Sequence, residues 1–333
     1  METSLQSPVA FASFMRRTVR RWRRALVLGI PALLSLPSFA LALPCGTLVT
    51  RDVTLTADML NCPDTGLLVR GSSGITINLN GHRITGAAGS SSGIGILSSA
   101  KVQLVGGGEI YGFNAGISVN NSRQIAIENL HLHHNRANNI YLLKVTDSLV
   151  VYNRLEDSTN GVVVDGAGYS KDNLIQYNVI TDNVTGVFLR GTDQNRVISN
   201  TIRDNSAGLG ISSGSDNLVD ANGIHSNLNG VVIENTAPPF TGAHRNRVTG
   251  NKIYGNTLGV ILREPYGSKA YNKYNEIKDN VFSGGATGVE VYGPRNYGTG
   301  IYDNRLRGVS VTNFDDTGTA TGYAGNICTP GPC

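Results

Sequence analysis

Charged and aromatic residues recur at equivalent positions along the second half of this sequence. When its repeated segments are aligned on a shared glycine, one column contains Asp165, Arg190, Glu234, Arg263 and Tyr292, and Tyr266 lies shortly after Arg263. Arginine can neutralise a sugar carboxylate, tyrosine can stack on a sugar ring, and carboxylates can fix hydroxyl groups. We therefore predict that these six residues bind a polysaccharide with acidic sugars.

The same residue types could support chemistry on uronic acids. A lyase or epimerase needs a cation for the sugar carboxylate, a base for the neighbouring proton and an acid for the leaving oxygen. The candidates for these roles are Arg190, Arg263, Lys269, Tyr266, Tyr292 and His244. Hydrolysis would need a pair of carboxylates at a defined separation, and no such pair stands out. No catalytic set is strong enough to call the chain an enzyme, so the sequence leaves that question open.

A metal site is not predicted from the histidines. His131, His133 and His134 occupy alternate or adjacent positions of a short strand, so at most two of them share a face. A copper site would need converging histidines or methionines, and Met59 is the single methionine after residue 42. No cofactor motif is evident either.

The elements that must position these residues are short strands in a repeated segment. The repeat follows the pattern Asn-x-apolar-x-x-Asn-x-x-Gly-apolar-x-apolar, and its clearest copies begin at Asn178, Asn200, Asn222, Asn251 and Asn280. Successive copies are 22 to 29 residues apart, a period typical of a solenoid. Apolar residues alternate within each copy, which indicates strands and excludes helical repeats.

These features predict an all-β fold, a right-handed parallel β-helix of about ten coils over residues 43–333. The alternate apolar residues would fill the core and the asparagines would lie at the corners. Asparagine tolerates a left-handed backbone, and stacked asparagine side chains can hydrogen-bond along a ladder. We therefore expect the corner asparagines to adopt that conformation and to form such ladders.

The repeat resembles that of pectate-lyase-like proteins, alginate epimerases and the periplasmic β-helix protein of nitrous oxide reductase maturation. This resemblance covers almost all of residues 43–333 and implies that function collects on the strand after the glycine. The acidic calcium cluster of pectate-lyase-like enzymes is not visible, because Asp165, Asp193 and Glu234 are spread over several repeats. No cofactor is predicted from the residues themselves. The resemblance would imply calcium as the bound ion, and the sequence leaves this alternative open.

A second outward column, two residues before the first, is largely apolar and should be covered. It includes Val163, Phe188, Val232 and Ile261. Long loops start at Asp165, Glu234 and Arg263, and loops of this length are commonly functional or packed over apolar surface. We expect them to cover this column.

Residues 1–42 have the features of a signal peptide. An arginine-rich stretch precedes an apolar run over 25–41 that ends in the small-x-small sequence Ala40-Leu41-Ala42. We predict an exported protein, secreted or periplasmic, whose contact with the membrane is limited to this cleaved segment. Four cysteines, Cys45, Cys62, Cys328 and Cys333, lie at the two ends of the remaining chain. In an oxidising compartment we expect disulfides; proximity favours Cys45 with Cys62 and Cys328 with Cys333, among three connectivities.

Charge and arrangement leave two hypotheses for function. Beyond residue 42 the chain has 22 basic and 23 acidic side chains, so nucleic-acid binding is not expected. The first hypothesis is a monomeric protein that binds, and as a lyase or epimerase could modify, an acidic polysaccharide. The second is a non-catalytic structural or adhesive surface solenoid, in which Asp165 with Arg190 and Glu234 with Arg263 are ordinary surface ion pairs.

Overall fold

The structure, a computed structural model, describes residues 43–166, 168–235, 242–264, 270–331 and 333. These residues form an all-β fold in which three sheets of twelve parallel strands run side by side along a rod. The predicted right-handed parallel β-helix is confirmed, with about eleven turns where about ten were expected. In the described part of the chain, no helix is long and apolar enough to cross a membrane. The predicted signal peptide, residues 1–42, lies outside the described residues.

Each coil contributes one strand to each of three sheets, here called A, B and C in the order in which the chain visits them. Sheet A consists of Thr47–Leu48, Leu67–Arg70, Ser92–Leu97, Ala115–Arg123, Asn138–Thr146, Asn160–Asp165, Thr185–Arg190, Ala207–Ser212, Asn229–Glu234, Leu258–Arg263, Thr287–Tyr292 and Thr312–Asp316. Sheet B consists of Val53–Thr54, Thr76–Asn78, Gln103–Val105, Ala126–Glu128, Leu149–Val151, Leu174–Gln176, Arg196–Ile198, Leu218–Asp220, Arg247–Thr249, Glu276–Lys278, Gly300–Tyr302 and Gly322–Ala324. Sheet C consists of Met59–Cys62, Arg83–Gly86, Glu109–Tyr111, His131–His133, Arg154–Glu156, Val179–Thr181, Thr201–Arg203, Gly223–His225, Lys252–Tyr254, Val281–Ser283, Arg305–Arg307 and Ile327–Thr329. A small parallel pair, Asn272–Lys273 with Asn296–Tyr297, lies outside these sheets.

The core is a set of stacked apolar columns, one residue wide, that run through the coils. In sheet C, Ile180, Ile202 and Ile224 pair in register and each is 0% exposed. Burial of one such side chain contributes roughly 1.5–3 kcal/mol. Because side chains alternate along a strand, a one-residue slip would turn a whole column outward. The alternation therefore fixes the register that brings outward residues together.

Buried asparagines form hydrogen-bonded ladders at the corners, as predicted. Asn178 Nδ2 donates to Asn200 Oδ1 at 3.0 Å, and Asn200 Nδ2 donates to Asn222 Oδ1 at 3.0 Å. The backbone N–H of each residue donates to the same next oxygen, for example Asn200 N to Asn222 Oδ1 at 2.8 Å. Each Asn Oδ1 thus satisfies two donors in a place that water does not reach.

The prediction that these ladder asparagines have a left-handed backbone is wrong. The positive φ falls one residue earlier, at Tyr177 (57°), Ser199 (55°) and Ala221 (54°), which precede Asn178, Asn200 and Asn222. The turn is made before the ladder position, and the asparagine can then point its amide inward to its neighbours. At each of these corners, therefore, one residue makes the bend and the following asparagine forms the hydrogen bonds.

Both predicted disulfides are present, one at each end of the rod. Cys45 pairs with Cys62, with Cα atoms 5.4 Å apart, and Cys328 pairs with Cys333, at 5.2 Å. In the described part of the chain no free cysteine is left. Among the described strands, the first and last of each sheet pair on one side only, so covalent links there oppose fraying.

Candidate functional site

The residues predicted to bind a ligand form a line on the outward face of sheet A. The strand register pairs Asp165 with Arg190, and further along the rod Glu234 with Arg263. Ser212 separates the two pairs, and Tyr292 follows Arg263. These six residues, Asp165, Arg190, Ser212, Glu234, Arg263 and Tyr292, are called the sheet A column. Adjacent members lie on strands about 4.8 Å apart. Tyr266 and Lys269 lie outside the described residues.

Tyr141, Asp165 and Arg190 form a hydrogen-bonded group on this face. Tyr141 Oη donates to Asp165 Oδ2 at 3.1 Å, and Arg190 Nη2 donates to the same oxygen. The Asp165 side chain is 9% exposed, whereas that of Arg190 is 46% exposed. A buried carboxylate thus anchors a guanidinium whose other face is open to solvent. Tyr141 was not predicted as a member, although its position one coil before Asp165 follows from the repeat.

The pKa shifts in this group keep Tyr141 and Arg190 protonated at neutral pH. Burial, and then the charge of Asp165, raise the pKa of Tyr141 above its usual value. The hydrogen bond with Asp165 raises the pKa of Arg190. At neutral pH Tyr141 is therefore a protonated donor and Arg190 a cation, so the group can present positive charge to an anion.

Glu234 and Arg263, both partly buried, form a second part of the column. Burial raises the pKa of the Glu234 carboxyl, and the charge of Arg263 acts in the opposite direction. A carboxyl group with a raised pKa is better suited to proton transfer near neutral pH than an ordinary one. Tyr292 is 60% exposed at the next position. His244, a candidate proton carrier in the sequence, instead pairs with Ser215 and Lys273 outside the column.

The apolar outward column beside these residues is covered, as expected, over part of its length. Val163, Val232 and Ile261 face outward yet are 5%, 7% and 0% exposed. Phe188 is half-buried and lies against Gly210, where a Cβ atom would come within 3.1 Å of its ring. The predicted cover by the loops after Glu234 and Arg263 concerns segments 236–241 and 265–269, which lie outside the described residues.

A second group of chemically active side chains lies on the outward face of sheet C. His131 and His133 share this face, and Glu109 of the preceding coil pairs directly with His131. The three residues, called the sheet C group, can place one ligand atom each within 4.8 Å of one another. The sequence predicted no metal site, because the histidines alone offer two ligands on one face. The third comes from the previous coil, 22 residues earlier, and the repeat spacing could have identified it.

Neighbouring side chains hold the sheet C group in place. His131 Nε2 lies 2.6 Å from Glu156 Oε1, and His131 Nδ1 lies 3.9 Å from Glu109 Oε1. Burial alone would raise the pKa of Glu156, but hydrogen bonds with Arg154 and His131 keep it below its usual value. Burial, together with the charges of the neighbouring histidines, lowers the pKa of His133. The lowered pKa favours the neutral form of the His133 imidazole.

Sequence comparison gives one family. The profile of the family described as "Periplasmic copper-binding protein (NosD)" matches residues 52–241 and 110–303. No curated protein sequence matches the chain.

Solved structures with the same fold are distant in sequence. The A-module of mannuronan C-5 epimerase AlgE4 from Azotobacter vinelandii has a TM-score of 0.55 at 15% identity, over 84% of this chain and 89% of that one. An exopolygalacturonase from Thermotoga maritima has a TM-score of 0.58 at 11% identity, over 85% and 84%. The tailspike protein of E. coli bacteriophage HK620, a double mutant in complex with a pentasaccharide, has a TM-score of 0.63 at 12% identity, over 85% and 60%. At these identities the similarity establishes the shared fold.

Proposed function

This chain belongs to the family described as periplasmic copper-binding protein (NosD), and from that premise we propose that it binds an acidic polysaccharide along sheet A. The family is periplasmic by its description, and two disulfides fit an oxidising exported compartment. Export through a signal peptide at residues 1–42, and a monomeric state, belong to the same proposal.

The observation that carries the proposal is the anchored guanidinium of Arg190. Its contact with buried Asp165 fixes its position, while 46% of its side chain remains exposed. A guanidinium held in advance loses less entropy when it binds a carboxylate, and its planar fork suits two carboxylate oxygens. Arg263 lies three strands further along the rod, at about 14 Å by the usual strand spacing. A glycan chain lying parallel to the rod would span this distance with about three sugar rings, each close in length to one strand spacing.

The distant structures agree with a carbohydrate ligand. The epimerase is named for mannuronan, the exopolygalacturonase for a polygalacturonate, and the tailspike protein is in complex with a pentasaccharide. These similarities establish the fold alone and identify no residue of this chain. The argument for the ligand therefore rests on the sheet A column.

The same face offers residues for lyase or epimerase chemistry. Arg263 would neutralise the sugar carboxylate, and Glu234, whose pKa burial raises, would accept the neighbouring proton. Tyr292, on the strand directly after Arg263, would donate a proton to the leaving oxygen. These roles make catalysis a testable extension of binding.

A non-catalytic structural or adhesive solenoid is the alternative. The contact between Asp165 and Arg190 favours it, since a pair of opposite charges on neighbouring strands can stabilise the stack without a ligand. The two hypotheses differ in whether Arg190 and Arg263 remain available to an external anion.

Binding of alginate and polygalacturonate, at low and high salt and with or without calcium, tests the proposal. We expect Arg263→Ala to weaken binding about tenfold at low salt, as for the loss of one charge-assisted hydrogen bond. The difference should shrink at high salt because exposed charges are screened. Arg305→Ala, an exposed arginine on sheet C, is the matched control and should bind like the parent.

Equal binding by the parent and Arg263→Ala at low salt, with the fold intact, would contradict the proposed site. Catalysis is tested by ultraviolet absorbance of unsaturated uronates and by nuclear magnetic resonance of epimerised residues, with Glu234→Gln as the variant expected to lose activity. Binding without either product would identify a non-catalytic glycan-binding protein.

Copper, which the family description names, has a limited choice of ligands in this chain. All four cysteines are in disulfides, and Met59 is 2% exposed in the core. Sulfur ligands that select copper(I) are therefore not available on the described surface. The sheet C group offers nitrogen and oxygen instead, a donor set that suits copper(II).

A further inference from the structure

We propose that Glu109, His131 and His133 bind one divalent transition-metal ion on the outward face of sheet C. This site is separate from the polysaccharide face on sheet A and does not depend on it. In the described ranges it is the one group of three such side chains whose ligand atoms converge.

The backbone brings the three ligands together before any metal binds. His131 and His133 alternate on one strand and so share its outward face, and Glu109 is the residue directly paired with His131. Their ligand atoms lie within 4.8 Å of one another, and a metal with bonds of about 2.0–2.2 Å requires them somewhat closer. The Glu109 side chain is 42% exposed, so its rotation can supply the remaining movement.

The neighbours of His131 make up the outer shell that metal-bound histidines usually have. Its Nε2 lies 2.6 Å from Glu156 Oε1, which leaves Nδ1 on the side of Glu109. Arg154 Nε donates to Glu156 Oε2 at 2.7 Å and holds this carboxylate in place. A carboxylate on the far nitrogen fixes the tautomer and increases the basicity of the ligating nitrogen. Glu156 is therefore a positioning residue for the metal.

His133 is the second nitrogen ligand and is held by packing. Its ring stacks on Tyr111, with centroids 4.7 Å apart, and contacts the His131 ring at 4.4 Å. Its Nδ1 lies 2.8 Å from Nδ1 of His134, so one of the two nitrogens must carry a proton. These contacts restrict the orientation of the imidazole on an otherwise open face.

The donor set selects the class of metal. Two imidazoles and one carboxylate suit copper(II), zinc or nickel, whereas calcium and magnesium prefer oxygen ligands alone. Copper(II) forms the strongest complexes in the first-row series. Three protein ligands on an exposed face leave positions for water or another ligand.

In a purely structural role His131 would bridge two carboxylates, Glu109 and Glu156. The chain contains a matched control for the packing of His133. His225 lies in the same outward column and stacks on Tyr254, with ring centroids 4.4 Å apart, but in the described part of the chain it belongs to no such group. A stacked histidine alone therefore does not make the site.

The test uses the exported chain without a histidine tag, titrated with copper(II) and separately with zinc. Calorimetry should show one equivalent bound, and electron paramagnetic resonance of the copper(II) form should show nitrogen ligands. Glu109→Gln and His131→Ala should each weaken binding at least tenfold, and His225→Ala should bind like the parent. Glu156→Gln should weaken binding about 10- to 100-fold without changing the stoichiometry, as expected for an outer-shell carboxylate.

Binding of copper(II) or zinc by the parent no tighter than by the Glu109→Gln, His131→Ala double variant would overturn the site. Equal losses in His225→Ala and His131→Ala would overturn it as well. Glu109→Gln changes a half-exposed side chain, so it remains informative even where a histidine variant fails to fold. Alginate binding measured on the same variants keeps this result separate from the sheet A proposal.

Discussion

Inside the rod, equivalent positions in successive coils carry nearly the same residue, whereas on the outward faces they differ. Along sheet C the inward column reads Ile180, Ile202, Ile224 and Ile253, while the outward column beside it reads Val179, Thr201, Gly223 and Lys252. Each coil packs directly on the next, so the side chain of an inward residue must fit against those of two neighbouring coils at once. An outward residue is not under this packing constraint. A cluster of polar residues outside is therefore better evidence of function than any residue inside.

Replacement of one inward isoleucine by a charge should give the largest loss of stability. Ile202 is 0% exposed, so Ile202→Asp would bury an unpaired carboxylate and should cost about 4 kcal/mol or more. Urea unfolding measures the loss. Thr201→Asp, on the outward side of the same strand, is the control and should stay within about 1 kcal/mol of the parent. Similar midpoints for Ile202→Asp and the parent would contradict the coil register.

The two disulfides should differ in their effect because they close loops of different length. The chain-entropy relation gives about 3 kcal/mol for the 17-residue separation of Cys45 and Cys62. For the 5-residue separation of Cys328 and Cys333 it gives about 2 kcal/mol. Paired Cys→Ser variants, compared by urea unfolding, should therefore rank in that order. The reverse order would mean that the last coil, not the first, limits stability.

Loss of one ladder asparagine should have an intermediate effect. Asn200→Ala removes the donor to Asn222 and the acceptor for Asn178 N at 2.9 Å, and leaves buried backbone groups without partners. Each unsatisfied group costs about 1–3 kcal/mol, so we expect a loss of at least about 2 kcal/mol overall. Thr201→Ala, its exposed neighbour, is the control for thermal unfolding. An equal melting temperature for both variants would show that the ladder does not contribute to stability.

The smallest effect should come from an ion pair on the outside. The backbone N–H and guanidinium of Arg83, with His82, lower the pKa of Asp58 to about 2. Because the folded pKa is below the unfolded value of about 3.9, the pair stabilises the fold above pH 4. That contribution disappears as the pH falls to about 2.

Asp58→Asn should thus be slightly less stable than the parent at pH 7 and equal to it near pH 2. The Asp58 side chain is 28% exposed and Arg83 47%, so the difference should be below about 1 kcal/mol. Urea unfolding at several pH values measures it. A difference that does not change with pH would assign the effect to something other than the charge of Asp58.

Most of the fold could be predicted because its information is periodic. The spacing of Ile180, Ile202 and Ile224 equals the length of one coil. The alignment on the shared glycine also predicts correctly that Asp165 lies opposite Arg190. The disulfide partners followed from proximity. No long-range information was needed, since each coil contacts only its neighbours.

What could not be predicted depends on contacts between coils. The sequence puts Tyr141 outward, but only the structure shows that its hydroxyl and Arg190 meet on one oxygen of Asp165. Likewise, the sequence shows the histidines as a local run, but Glu109 joins His131 and His133 across a strand pair. The error on the left-handed corners has a similar cause, because the identity of a ladder residue does not say which of two adjacent residues makes the bend.

The one-way hydrogen bonding of the asparagine ladder has a consequence for the evolution of this chain. The bonds between ladder asparagines run in one direction: Asn200 donates to Asn222 of the coil after it and accepts from Asn178 of the coil before it. These residues are spaced by 22, so loss or duplication of one 22-residue unit would join Asn178 to Asn222, or repeat Asn200, with every amide still paired. Unequal recombination between neighbouring repeats could therefore lengthen or shorten the rod by whole coils, and move the outward residues past each other in steps of one strand spacing.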